Sequence, residues 1–179
     1  LRPDKGEVLL DGDEVSNLSM PNRARMGVGY LPQEPSVFRQ LTVRQNLEVA
    51  LAQSGLSGLM SRRLRDQLIE DFHLSPFMNR FGYQLSGGER RRCEVARALA
   101  VGTEGPKYLL LDEPFAGVDP MAVADLQGLI QSLRSRGMGI LVTDHNVRET
   151  LAITDRSYIL NEGGILSSGR SKKVANDPL

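Results

Sequence analysis

The sequence predicts an α/β fold: a core sheet flanked by helices, with an α-helical subdomain inserted into it. Three observations carry this. Runs at 28–31, 108–111 and 139–143 read as strands ending in polar residues, and the continuous apolar run 108–111 suggests a strand covered on both faces, as in a parallel sheet. Helix-period segments alternate with these runs in the second half of the chain. Between the first two runs lies a long stretch with helical spacing, which reads as an insertion. The core is assigned to 1–34 and 105–179, and the helical subdomain to about 35–104.

The elements follow in order. Residues 7–11 read as a short strand before a Gly12-Asp13 turn. Val28–Leu31 reads as a second strand, ending at Pro32-Gln33. From Thr42 to about Arg80, Val43, Leu47, Leu51, Leu64, Leu68, Ile69 and Phe72 recur at three- and four-residue spacing, a helical signature. Gly/Ser-rich 54–61 and Ser75-Pro76 break this stretch into separate helices. Ser86-x-x-Glu89 has capping-box spacing and starts a helix running to Ala100, with Cys93, Ala96 and Ala100 on one face. Tyr108-Leu109-Leu110-Leu111 is a buried strand. Asp119 and Pro120 open a helix whose inner face is Leu126, Leu129, Ile130 and Leu133. Gly139–Thr143 is another buried strand, and Asn146-x-x-Glu149 is a possible capping box for the helix after it. Two runs, 156–160 and 165–168, flank Asn161-Glu162-Gly163-Gly164, a hairpin turn.

Composition removes several functional classes. The chain has 179 residues, 40% hydrophobic and 25% charged, enough to bury a core. Lys+Arg and Asp+Glu both number 22, so overall charge does not favour a nucleic-acid partner. Cys93 is the one cysteine, so neither an internal disulfide nor a cysteine metal cluster can form. No apolar run approaches the roughly 18 residues of a membrane span, and no signal-peptide pattern is visible. Any service to a membrane is expected to go through a partner, without direct insertion.

Three motifs carry chemistry. In Leu85-Ser86-Gly87-Gly88-Glu89, two glycines at a helix start let a ligand approach the backbone, and the N–H groups and helix dipole favour an anion. Alone, this pattern fits an ordinary capped helix equally well. In Leu109-Leu110-Leu111-Asp112-Glu113-Pro114, two carboxylates leave the carboxyl end of a strand, where α/β sheets bind ligands. Asp112 there can hold Mg²⁺ through its water shell, and Glu113 can orient or deprotonate a water. A polar strand end before a turn is the plain alternative. His145, after the 139–143 strand, can donate to a terminal phosphate, although a lone histidine is more often structural. Gln33 is the weakest of the set. The run Arg90-Arg91-Arg92 reads as a solvated helix face.

In their order and spacing these pieces resemble the ATP-binding cassette (ABC) ATPase family over essentially the whole chain. Gln33 matches the Q-loop, 85–89 the signature, 107–113 the Walker B strand, Ala116-Gly117-Val118-Asp119 the D-loop and His145 the switch histidine. The resemblance implies a P-loop NTPase-like (RecA-like) core, ATP and Mg²⁺ as cofactors, and a homodimer of ATPase subunits. It implies that Asp112 and Gln33 contact Mg²⁺, that Glu113 is the general base and that His145 contacts the γ-phosphate. Ser86, Gly87 and Gly88 would contact ATP bound to the opposite subunit, and Asp119 would couple the two sites. Phe38 and Arg39, just past the Q-loop, would line the groove that receives a transmembrane permease subunit. That places the chain in the cytoplasm, peripheral on the inner face of the cytoplasmic membrane.

Four segments sharpen the resemblance: 27–39, Gly88-Glu89-Arg90-Arg91-Arg92, 112–120 and 144–151. They resemble the ATPases of lipopolysaccharide-export transporters. The ATPases of branched-chain amino-acid importers, a soluble cassette ATPase outside transport and a non-catalytic remnant are the alternatives. One departure stands out: G-x-x-x-x-G-K-[ST], which cradles the nucleotide phosphates, occurs nowhere in the sequence. The family places that loop upstream of Pro3-Asp4-x-Gly6. Leu1 and Asp177-Pro178-Leu179 accordingly read as interrupted ends. Made as written, the chain is expected to bind ATP poorly and hydrolyse almost none.

Overall fold

A computed structural model describes residues 3–175 of the chain. The readings made at Leu1 and at 177–179 lie outside these residues. The first elements are a short antiparallel pair, β1 (Leu9–Leu10) and β2 (Asp13–Glu14), in place of the single strand expected at 7–11. Asp11 and Gly12 both have positive φ (54° and 93°), so the tight turn falls one residue earlier than the sequence suggested. Helix α1 (Met20–Arg25) leads into strand β3 (Val28–Leu31).

The helical block follows. Helix α2 (Val43–Gln53) opens with a complete capping box between Thr42 and Gln45. Helix α3 (Gly58–Asp71) begins at Ser57, inside the segment read as a break, because the Ser57 side chain caps Met60 N–H. Two 3₁₀ turns, Ser75–Phe77 and Gly82–Gln84, lead to helix α4 (Gly87–Ala98). Ser86 and Glu89 form its expected capping box. Val43, Leu47, Leu51, Leu68 and Phe72 are buried with Cys93, Ala96 and Ala100 in a shared core.

The chain then returns to the sheet through β4 (Tyr108–Asp112), α5 (Pro120–Ser135) and β5 (Gly139–Thr143). Strands β3, β4 and β5 lie side by side, all parallel, in the order β3-β4-β5. Gly29 lets α4 approach this sheet: a Cβ there would lie 2.3 Å from the Ala98 carbonyl oxygen. Leu31, Leu109 and Leu111 therefore sit in the core on that face.

The opposite face differs from the expectation of strands covered on both sides. Tyr30, Leu110 and Leu141 are in register across it, and Leu141 is 61% exposed. Side chains alternate along each strand, so one face packs under α4 while the other faces outward among the described residues. β5 is thus half-buried at most.

The remaining elements are α6 (Val147–Ile153), a hairpin of β6 (Arg156–Asn161) and β7 (Gly164–Arg170), and α7 (Ser171–Val174). Glu162 and Gly163 both have positive φ (48° and 81°), the primed geometry that suits a two-residue hairpin loop. Asn146 precedes α6 but makes no side-chain cap. Asp144 Oδ1 instead accepts from the Asn146 N–H (2.8 Å), and Glu149 Oε2 accepts from Gln127 Nε2 (2.7 Å). The donor and the acceptor of the box's Asn146 N–H to Glu149 side-chain bond are thus each engaged elsewhere. Among the described residues, no helix is long and apolar enough to cross a membrane.

Candidate functional site

The carboxyl ends of three adjacent parallel strands bring Gln33, Asp112, Glu113 and His145 together. Gln33 follows β3, Glu113 follows β4 and His145 follows β5. Gln33 Nε2 donates to Glu113 Oε2 at 3.0 Å. His145 Nδ1 lies 3.3 Å from that same oxygen. Asp112, the last residue of β4, accepts on both oxygens: from Thr143 Oγ1 to Oδ1 (2.6 Å) and from Tyr30 Oη to Oδ2 (3.2 Å). Burial, the adjacent Asp112 charge and this hydrogen bond push the Tyr30 hydroxyl above the usual tyrosine range, so it remains a donor.

Glu113 is held in an uncommon backbone state. Its φ is +43°, in the left-handed region that a non-glycine residue adopts at a cost of about 1–3 kcal/mol. The surroundings fix it there. Its N–H donates to Thr143 O (2.8 Å), which ends the β4–β5 ladder one residue beyond Asp112. Asp144 Oδ2 accepts from Phe115 N–H (3.2 Å), anchoring the next turn.

The most extensive support comes from Arg91, and it corrects the sequence. The Arg90-Arg91-Arg92 run is not a solvated face: Arg91 is 7% exposed, and Arg92 lies over the Phe77 ring at 5.7 Å. The Arg91 guanidinium donates to the carbonyls of Pro32 (3.2 Å), Asp112 (3.4 Å), Glu113 (3.0 Å) and Pro114 (3.1 Å). It also pairs with Glu94 at 3.3 Å. Glu94, 3% exposed, accepts from Ser36 N–H (2.7 Å) and Val37 N–H (3.0 Å). One helix therefore grips both the segment around Gln33 and the backbone of the two carboxylates. Glu94 among Cys93, Val95 and Ala96 is the sequence signal that could have exposed this, since it falls on the buried side of the helix.

Ser86, Gly87, Gly88 and Asp119 form a second group. Ser86 caps α4 and is exposed. A Cβ at Gly87 would meet nothing within 4 Å, whereas one at Gly88 would lie 2.8 Å from Ala122 Cβ. Gly87 thus leaves an open approach to the helix start, and Gly88 lets α4 pack against α5. Asp119 Oδ1 accepts from the Ala122 N–H (3.0 Å) as the cap of α5. Both motifs converge on Ala122.

Phe38 and Arg39 lie between β3 and α2, and both are exposed. Arg97 stacks over the Phe38 ring at 4.5 Å and donates to Asn46 Oδ1 (3.1 Å). Asn46 is buried and bonds both the N–H and the carbonyl of Phe38, so the ring is presented on a fixed backbone.

Comparison with known proteins gives the family. The family model described as "ABC transporter" matches residues 1–116. The lipopolysaccharide export system ATP-binding protein LptB of Acidithiobacillus ferridurans is 49% identical over 179 residues, covering 100% of this chain and 73% of that protein. LptB of Haemophilus influenzae is 51% identical over 178 residues, covering 99% and 73%. Among solved structures, the ADP conformation of MJ1267, an ATP-binding cassette of an ABC transporter, aligns with a TM-score of 0.84 and 28% identity over 99% of this chain and 76% of that one. The dimeric post-hydrolysis ATP-binding cassette MJ0796, bound to ADP and Pi, aligns with a TM-score of 0.77 at 25% identity, covering 95% and 75%. With its strand-end cluster, its capped Gly-Gly helix and these relatives, the chain belongs to the ATP-binding cassette ATPases of ABC transporters.

Proposed function

We propose that this chain is the ATP-hydrolysing subunit of a transporter that exports lipopolysaccharide. The observation that carries it is identity of 49–51% across essentially the entire chain to ATP-binding proteins of lipopolysaccharide export. In this reading Glu113 is the general base. Its Oε2 is engaged by Gln33 and His145, and among the described residues Oε1 accepts no hydrogen bond, which leaves an oxygen for a water. His145 contacts the γ-phosphate. Ser86, Gly87 and Gly88 present an exposed helix start to ATP on a second copy of the chain, and Asp119 links that start to the partner site through Ala122.

The donor set also fits Mg²⁺. Among the described residues no cluster of three or more His, Cys, Asp or Glu side chains could enclose a metal. A lone strand-end carboxylate suits an ion that keeps most of its waters and shares nucleotide phosphates. Asp112 and Gln33 would hold it, and the ion would supply charge neutralisation at the phosphates. In the same reading, 1–34 and 105–179 make the core and about 35–104 the signature subdomain. Phe38 and Arg39 face the transmembrane permease subunits, which keep the ATPase at the cytoplasmic face of the membrane.

Affinity purification of the tagged subunit with its membrane partners tests this. Recovery of lipopolysaccharide-export permeases is expected, with loss of ATPase turnover in Glu113→Gln. Recovery of amino-acid importer permeases instead overturns the export assignment.

A further inference from the structure

Asp112 is held in a way that nothing assigned to the family motifs accounts for. Both of its carboxylate oxygens accept a hydroxyl hydrogen bond, and the donors come from the two flanking strands. Thr143 is the direct register partner of Asp112 on β5. Tyr30 pairs with Leu110 on β3, two residues before Asp112, and so shares its face of the sheet. Its long ring spans the two-residue offset and its hydroxyl reaches Oδ2 at 3.2 Å, while Thr143 Oγ1 reaches Oδ1 at 2.6 Å.

The χ2 torsion of an aspartate is broad and nearly two-fold, so packing alone fixes the plane of its carboxylate weakly. Two donors on opposite oxygens fix that plane. Each oxygen retains a lone pair, and the retained pairs point in set directions. A ligand that reaches its ion through water needs this, because a hydrated Mg²⁺ demands near-ideal octahedral geometry. Outer-shell hydrogen bonds to metal ligands serve this orienting role in metal sites generally.

We propose that Tyr30 and Thr143 are positioning residues for Mg²⁺: together they orient the Asp112 carboxylate toward the hydrated ion. Tyr30 and Thr143 touch neither nucleotide nor water in this role and act only through Asp112. The inference rests on Asp112 being the metal-binding carboxylate.

The test is Mn²⁺ binding to the purified full-length subunit with saturating ADP, followed by electron paramagnetic resonance. Nucleotide affinity is measured separately in EDTA, and melting temperature reports folding. Thr143→Val is expected to weaken Mn²⁺ by about 10-fold, the low end for loss of an outer-shell partner, with ADP affinity in EDTA unchanged. Thr143→Ser restores the hydroxyl and the affinity. Tyr30→Phe gives a smaller loss, about 3-fold, because its bond is longer and more exposed. The double variant exceeds either single one. Asp112→Asn separates the two readings. If it leaves Mn²⁺ affinity intact, Asp112 is not the metal ligand and the underlying assignment fails. If it abolishes binding while Thr143→Val and Tyr30→Phe both bind Mn²⁺ as the parent does, the positioning role alone is overturned. A loss in Thr143→Val that appears equally in EDTA, or that Thr143→Ser fails to restore, also overturns it.

Discussion

Replacing Arg91 with alanine should destabilise the chain more than any other single change at the site. Its side chain is 8% exposed and that of its partner Glu94 is 2% exposed. The substitution removes five hydrogen bonds at once, four of them to the carbonyls of Pro32, Asp112, Glu113 and Pro114. Glu94 keeps the Ser36 and Val37 N–H groups but loses its counter-charge in a buried setting. Breaking a buried pair by removing one partner costs about 3–5 kcal/mol. The orphaned carbonyls add to this, partly offset by water entering the vacated space. With a urea m-value of about 2 kcal/mol/M, the midpoint should fall by about 2 M. Arg91→Lys keeps the charge but not the planar fork, so it should fall between wild type and alanine. In the double variant Arg91→Met, Glu94→Gln, the second substitution removes the stranded charge and should recover part of the loss. A urea midpoint within about 0.3 M of wild type for Arg91→Ala, an energy below about 0.6 kcal/mol, would refute the picture of Arg91 as the buried clamp.

Further consequences can be checked on the same chain. Cys93 is fully buried, and burial pushes its thiol up to about 12. It should resist thiol reagents at pH 8 until the chain unfolds. In the unfolded chain the thiol ionises near pH 8.5 while the folded chain keeps the proton, so its contribution is full below that pH and is lost as pH rises toward 12, by up to about 1.4 kcal/mol per unit. The fall in stability between pH 8.5 and 10.5 should therefore be shallower in Cys93→Ala. Gly88→Ala brings a Cβ to 2.8 Å from Ala122 Cβ and should cost about 1–3 kcal/mol by overpacking, read as a lower melting temperature. Asp119→Ala removes the α5 cap and should cost about 1 kcal/mol, largely restored by Asp119→Asn. Glu113→Gly relieves the +43° φ and should match or exceed wild-type stability by up to about 1 kcal/mol; clear destabilisation would argue against strain at that residue.

The parts of the fold legible in the sequence were those set by local rules. Three apolar runs with polar ends gave β3, β4 and β5 because the side chains of strand ends and interiors differ in kind. Ser86 and Asp119 announce helix starts, and both cap as their types predict. What stayed hidden depends on neighbours in space. Asn146-x-x-Glu149 has the spacing of a cap, yet Asp144 takes the Asn146 N–H and Gln127 takes Glu149. Three consecutive arginines look solvated because charge runs usually are. Only the turn of α4 against β3 and β4 decides that the middle one faces inward. Tyr30 and Thr143 read as ordinary strand residues until register sets them on either side of Asp112.

The helix α4 joins these pieces mechanically. At its start Ser86 and Gly87 are exposed, while Gly88 stands against α5 at Ala122. One turn on, Arg91 holds Pro32 and the 112–114 backbone, and Glu94 holds Ser36 and Val37. One turn further, Arg97 stacks on Phe38. A continuous helix resists bending, so these three attachments move as one. Displacement of Phe38 by a partner must then be shared between the hydrogen bonds at Pro32–Val37 and those under Glu113, because both are fastened to the same rigid element. The Arg91 bond to the Glu113 carbonyl adds to the Thr143 and Asp144 contacts that hold its left-handed backbone. A force applied at Phe38 therefore reaches Glu113, the proposed water-activating carboxylate, through Arg91 without any change within the helix. Double-mutant cycles between Phe38→Ala and Arg91→Lys test this: a coupling energy near zero in the ATPase turnover of the assembled transporter would show that the two attachments act independently.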